Sequence, residues 1–173
     1  MNILLSFLPW IVFYGLQHVL GLTWALVIAI ILLLVTPEVK RLIKGFLVTW
    51  MILISMLIML LISICYPTSL SSLDRVLIMS GSFALMAWVS LVIKKPFTLQ
   101  YAKEKVPKEK WDSPVFFKVN MIITLLWAVC MTISTLASTF NYQQTLISII
   151  AIVIAIVGTK HIPEYYRKKY AKS

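Results

Sequence analysis

Acidic side chains are scarce in this chain: six Asp and Glu stand against sixteen Lys and Arg in 173 residues. None of the six lies inside an apolar run, so the carboxylates that proton- and cation-coupled transporters hold at membrane depth are missing. No HExxH, GxSxG or Walker sequence occurs, and no Cys/His cluster. The two cysteines, Cys65 and Cys130, have neither CxxC spacing nor a neighbouring histidine, and read as packing residues. Charged residues make up only 13% of the chain, against about 25% in soluble domains. These shortfalls point away from a conventional enzyme and imply neither a metal nor a cofactor.

What remains is apolar, at 61% hydrophobic residues. The runs Trp24–Thr36, Phe46–Cys65 and Thr145–Thr159 carry no charge. They do not alternate as barrel strands would, so the expected class is all-α, a polytopic transmembrane helical bundle forming a single integral membrane domain over 1–173. Ile3 to Thr36 is 34 nearly continuous apolar residues. As one helix it would reach about 51 Å, well beyond the roughly 30 Å hydrocarbon core. The segment is expected to fold back between Gly15 and Gly21, giving two short spans that call for local thinning or tilting. Pro9 is placed to kink the first of them. Met1–Leu20 lacks a basic n-region and a small-residue cleavage site, and reads as a retained span.

Six spans follow: 3–19, 21–36, 42–64, 76–93, 115–140 and 145–159, with a basic loop 94–114 and a basic tail 160–173. If the first run crossed only once, there would be five. The net charge of +10 resides in three segments. Pro37–Lys44 contributes +2, Lys94–Lys118 +4 and Lys160–Ser173 +4, while Asp74 and Arg75 cancel. With six spans and a cytoplasmic N-terminus, fifteen of the sixteen basic residues fall inside and only Arg75 outside, as the positive-inside rule requires. Because the lysines flank apolar spans, anionic lipid headgroups are a simpler partner than nucleic acid.

Spans two, four and six each end in a basic segment around a proline: Pro37, Pro96 and Pro163. Three helical hairpins of one plan would produce this pattern, and so would any span that leaves on the cytoplasmic side. Small residues recur at helical spacing: Gly21, Ala25 and Ala29; Ser80, Ala84 and Ala87; Ser148, Ala151, Ala155 and Gly158. Such faces allow close backbone approach where lipid supplies no hydrophobic drive. They serve either the bundle centre or another subunit, which leaves a homo-oligomer open. Asn120, Thr124, Ala128 and Thr135 form a mild polar stripe, read as packing glue before a ligand site. His18 has no acidic partner nearby in sequence, which weighs against a ligand or relay role.

The segment after Lys94 and Lys95 mixes Tyr101, Val106, Trp111, Phe116 and Phe117 with Lys103, Lys105, Lys108 and Lys110. That mixture suits an interfacial segment, with aromatics at headgroup depth and ammonium groups toward anionic lipid or a partner. It equally fits a solvated loop whose lysines only set topology.

Three motifs carry a resemblance. Phe7-Leu8-Pro9-Trp10-Ile11-Val12-Phe13 resembles the opening of the bacterial intracellular septation protein A family, described as inner-membrane-spanning envelope proteins. Lys94-Lys95-Pro96 is similar to that family's Lys-Lys-Pro, and Asn120 followed by Trp127-Ala128-Val129 to its Asn…Trp-Ala-Val segment. The order agrees over nearly the whole chain, although the loop after Lys-Lys-Pro is longer and the basic tail extended. Members are often drawn with five spans. The resemblance implies a multi-pass inner-membrane protein of the cell envelope, connected with septation or wall machinery, and it carries over no catalytic residue. The alternatives are a small transporter or lipid-handling protein, and an accessory subunit of a larger membrane complex.

Overall fold

A computed structural model describes residues 6–66, 71–140 and 144–171. The chain order is α1 (Leu8–Leu20), α2 (Leu22–Val35), α3 (Glu38–Ile43), α4 (Leu47–Cys65), α5 (Ser72–Val92), α6 (Phe97–Lys103), α7 (Pro114–Thr139) and α8 (Gln144–Ala171). Among the described residues no strand occurs. Among the described residues four helices are long and apolar enough to cross a membrane: α4, α5 over Asp74–Val92, α7, and α8 over Leu146–Lys169. The helices α1 and α2 are apolar but shorter. The chain divides into two compact units, Met1–Ser82 and Phe83–Ser173, so α5 contributes a half to each.

In the first unit the opening apolar run reverses. Pro9 does not kink α1; it sits in the first turn, where its missing N–H is one no helix would have used. The helix then runs through Gly15 without a break, as far as Leu20. The reversal is at Gly21 alone, whose φ of 79° is open to a residue without Cβ. Helix α2 restarts at once, with Ala25 N donating to Gly21 O at 3.1 Å. It ends at Thr36, held extended (ψ 169°) as residues before proline usually are.

The helix of span three, expected from residue 42, begins at Leu47, and Glu38–Ile43 form the separate short helix α3. The short α3 closes with Gly45 N donating to Leu42 O (3.0 Å) and Phe46 N to Arg41 O (2.9 Å) around Gly45 at φ 73°. This paired closure uses the positive-φ glycine as helices commonly do at their C-termini. Helix α4 then packs on α2. Thr23 Oγ1, near the start of α2, donates to Ser63 Oγ, near the end of α4, at 3.3 Å, and Thr49 Oγ1, near the start of α4, donates at 3.4 Å to Glu38 Oε2 of α3, just past the end of α2. Helices α2 and α4 are therefore antiparallel. Trp10, Phe13, Leu26, Leu33, Ile52 and Met56 fill the core between α1, α2 and α4.

In the second unit α7 and α8 form a long antiparallel pair. Ser134 and Ser148 share a 2.6 Å hydroxyl hydrogen bond near the turn, and Trp127 Nε1 donates to Thr159 Oγ1 (2.9 Å) further along. Residues beyond 159, expected as a basic tail after the last span, continue α8 to Ala171 with Pro163 inside it. Pro37 and Pro96 each precede a short helix, α3 and α6, whereas Pro163 interrupts no helix. The third basic segment thus departs from the plan of the other two.

Candidate functional site

A buried ion pair lies in the first unit, in a segment expected from the sequence only to set topology by its charge. Glu38 and Arg41, one turn apart on α3, form a 2.7 Å ion pair at 5% and 2% side-chain exposure. Burying two charges costs several kcal/mol per ion unless hydrogen bonds satisfy what remains. Here Ser6 Oγ donates to Glu38 Oε2 at 2.9 Å, Thr49 Oγ1 donates to the same oxygen, and Arg41 Nη1 donates to Ser6 Oγ at 3.1 Å. The guanidinium also lies over the Phe46 ring, 5.6 Å from its centre. The cluster pins the start of α1, α3 and the start of α4 together. The Glu-x-x-Arg spacing is legible in the sequence as a helical pair; its docking on Ser6 and Thr49 is not.

In the second unit α6 is folded onto α7, so the segment from Lys94 is no open loop. Phe97, Thr98 and Tyr101 are buried. Thr98 Oγ1 lies 2.9 Å from Asn120 O and 2.8 Å from Thr124 Oγ1. Asn120 and Thr124, expected on a polar stripe, are thus brought together by Thr98, while Asn120 Nδ2 donates to Phe116 O (2.8 Å). Above them Phe83 packs on Phe97 (5.4 Å) and Trp127 (5.5 Å), joining residues beside Lys-Lys-Pro and within Trp-Ala-Val around one ring. Phe83 and Thr98 carried no signal in the sequence, because single small or aromatic residues in apolar runs look alike.

Tyr101, expected as an outward anchor, is 5% exposed and so does not face outward. Lys94, Lys95, Lys105, Lys108 and Lys110 are exposed. Lys103 Nζ stands over the Trp111 ring at 4.9 Å, and Trp111 Nε1 donates to Val106 O at 2.9 Å, which closes the segment between α6 and α7 on itself. Lys94 has φ 54° and ends α5 with Lys95 N donating to Ser90 O (2.9 Å), the position Gly45 takes at the end of α3. A non-glycine residue there costs about 1–2 kcal/mol, so a charge stands where a glycine would be easier.

The small-residue faces are used within the chain. Ala25, Ala29, Ser80, Ala84, Ala87, Ala151 and Ala155 are buried. Ser148 is half-buried on Ser134, and a Cβ built at Gly158 would collide with the Leu126 side chain of α7. Gly21 is the exception: it is exposed and turns the chain, and a Cβ there would meet nothing within 4 Å. His18 is exposed in the last turn of α1. Among the described residues no group of three or more His, Cys, Asp and Glu could hold a metal ion.

No protein-family model, curated protein or solved structure matches the chain.

Proposed function

We propose that the chain is a six-span protein of the bacterial inner membrane with both termini in the cytoplasm. It serves envelope maintenance and septation by binding protein partners or anionic lipid rather than by catalysis. The observation that carries the topology is the hydrogen bond from Ser6 to Glu38, which ties the beginning of α1 to the basic segment following α2. A hairpin whose two ends meet there crosses an even number of times, which supports Ser6 lying on the same side as Lys40, Arg41 and Lys44. The exposed lysines from Lys94 to Lys110 fall on that side by the charge rule. The buried, fully partnered polar clusters support a packing role over a transport path.

The septation assignment rests on the three motifs. Trp127 of one motif and Phe97, which follows Lys-Lys-Pro, pack on the Phe83 ring, and the third motif supplies the buried Trp10 and Phe13. Purification from native membranes with lipid analysis tests it. Co-purifying division or wall-synthesis proteins support the assignment; a stoichiometric lipid alone would favour lipid handling.

A further inference from the structure

We infer that the first unit holds the bilayer locally thin, so its lipid partners are acyl chains shortened or disordered around the α1–α2 hairpin. The inference rests on the membrane reading above. With 13 and 14 residues, α1 and α2 are about 20 and 21 Å long, against a hydrocarbon core of roughly 30 Å. A helix that is too long can tilt; one that is too short gains nothing by tilting, and the bilayer must come to it.

Both ends of this slab are fixed. At one end Lys40 and Lys44 are exposed, beside the buried Glu38–Arg41 pair, and their ammonium groups belong at headgroup level. At the other end the helix is broken at exposed Gly21. The last carbonyls of α1 have no following helical N–H there. Irregular backbone facing lipid does not persist in hydrocarbon, so water or headgroups must reach Gly21. Sliding of the hairpin along α4 is opposed at both ends: Thr23 of α2 bonds Ser63 of α4, and Glu38 of α3, just past the other end of α2, accepts from Thr49 of α4 and from Ser6 before α1. Exposed Trp24 near Gly21 and exposed Trp50 near Lys44 occupy the two levels where indole rings favour the interface. Helix α4, at 19 residues, is long enough to fit the thinner layer by tilting.

The test uses full-length protein in its own membrane, with Cys65 and Cys130 replaced by serine and one cysteine restored at Val19 or at Ser71. A membrane-impermeant maleimide is applied to cells with a permeabilised outer membrane, and separately to inverted vesicles. Val19→Cys labelling as fast as Ser71→Cys, from the same side, is the expected result. Ser71→Cys labelling while Val19→Cys is silent from both sides would overturn the thinning and leave the membrane reading intact. Equal labelling of both only in inverted vesicles would reverse the orientation and keep the thinning. Silence of both from either side would end both readings.

Discussion

Ser6 donates a 2.9 Å hydrogen bond to Glu38, thirty-two residues further along the chain. The serine hydroxyl also accepts from Arg41, so one short side chain serves both members of a buried ion pair. Hydroxyl, carboxylate and guanidinium form one unit, and removing any one leaves the others short of a partner.

Breaking that unit on one side is therefore costly. Glu38→Ala leaves Arg41 as a buried charge without its carboxylate and is expected to destabilise the protein by about 3–5 kcal/mol. Replacing both residues with methionine removes the charge along with the partner and should cost much less. Thermal unfolding of the purified variants in detergent distinguishes the two. Equal losses from the single and double variants would show that the pair is not buried as described.

The Trp127 ring packs on Phe83, while its N–H holds Thr159. Trp127→Phe keeps the ring contact and loses the bond, for an expected cost of about 1 kcal/mol. Trp127→Ala loses both, for about 3–5 kcal/mol. Chemical denaturation of the two variants measures the difference, and Trp127→Phe should add little to the effect of Thr159→Val.

Gly158 gives α8 its close approach to Leu126 on α7. Gly158→Leu is expected to destabilise by about 1–3 kcal/mol through overpacking. Leu126→Ala should recover part of that loss by making room. A Gly158→Leu variant that melts like the parent would mean that the two helices do not meet there.

Lys94 stands at positive φ at the end of α5. Lys94→Gly relieves that strain and should raise stability by roughly 1 kcal/mol. If the lysine is kept for its charge, the same variant loses affinity for vesicles containing anionic lipid, read by flotation. Reversing Lys103, Lys105, Lys108 and Lys110 to glutamate should weaken that binding further; unchanged flotation would leave those lysines with topology alone.

The helical class was legible from Phe46–Cys65 and the other uncharged runs, because a charge-free run of helical length has few alternatives in lipid. The reversal within the first 36 residues was legible from length alone. Its position was not: two glycines competed, and only Gly21 takes a positive φ. Prolines misled twice. Pro9 starts α1, where proline is tolerated in the first turn, and Pro163 lies within α8, not past its end. The polar clusters were half legible. Asn120 and Thr124 share a helix face and so were paired by spacing, but Thr98 reaches them from another helix. Glu38 counted as one charge among several, because burial depends on Ser6 and Thr49, which are distant in sequence. Tyr101 looked like an anchor among lysines because its burial depends on how α6 folds back.

Reporter fusions test the one-sided distribution of charge most directly. A periplasm-dependent phosphatase and a cytoplasm-dependent fluorescent protein are each fused after Lys105 and after Ser71 and expressed in bacteria. The account predicts fluorescence without phosphatase activity at Lys105, and phosphatase activity without fluorescence at Ser71. The opposite pattern, or the same pattern at both positions, would contradict it.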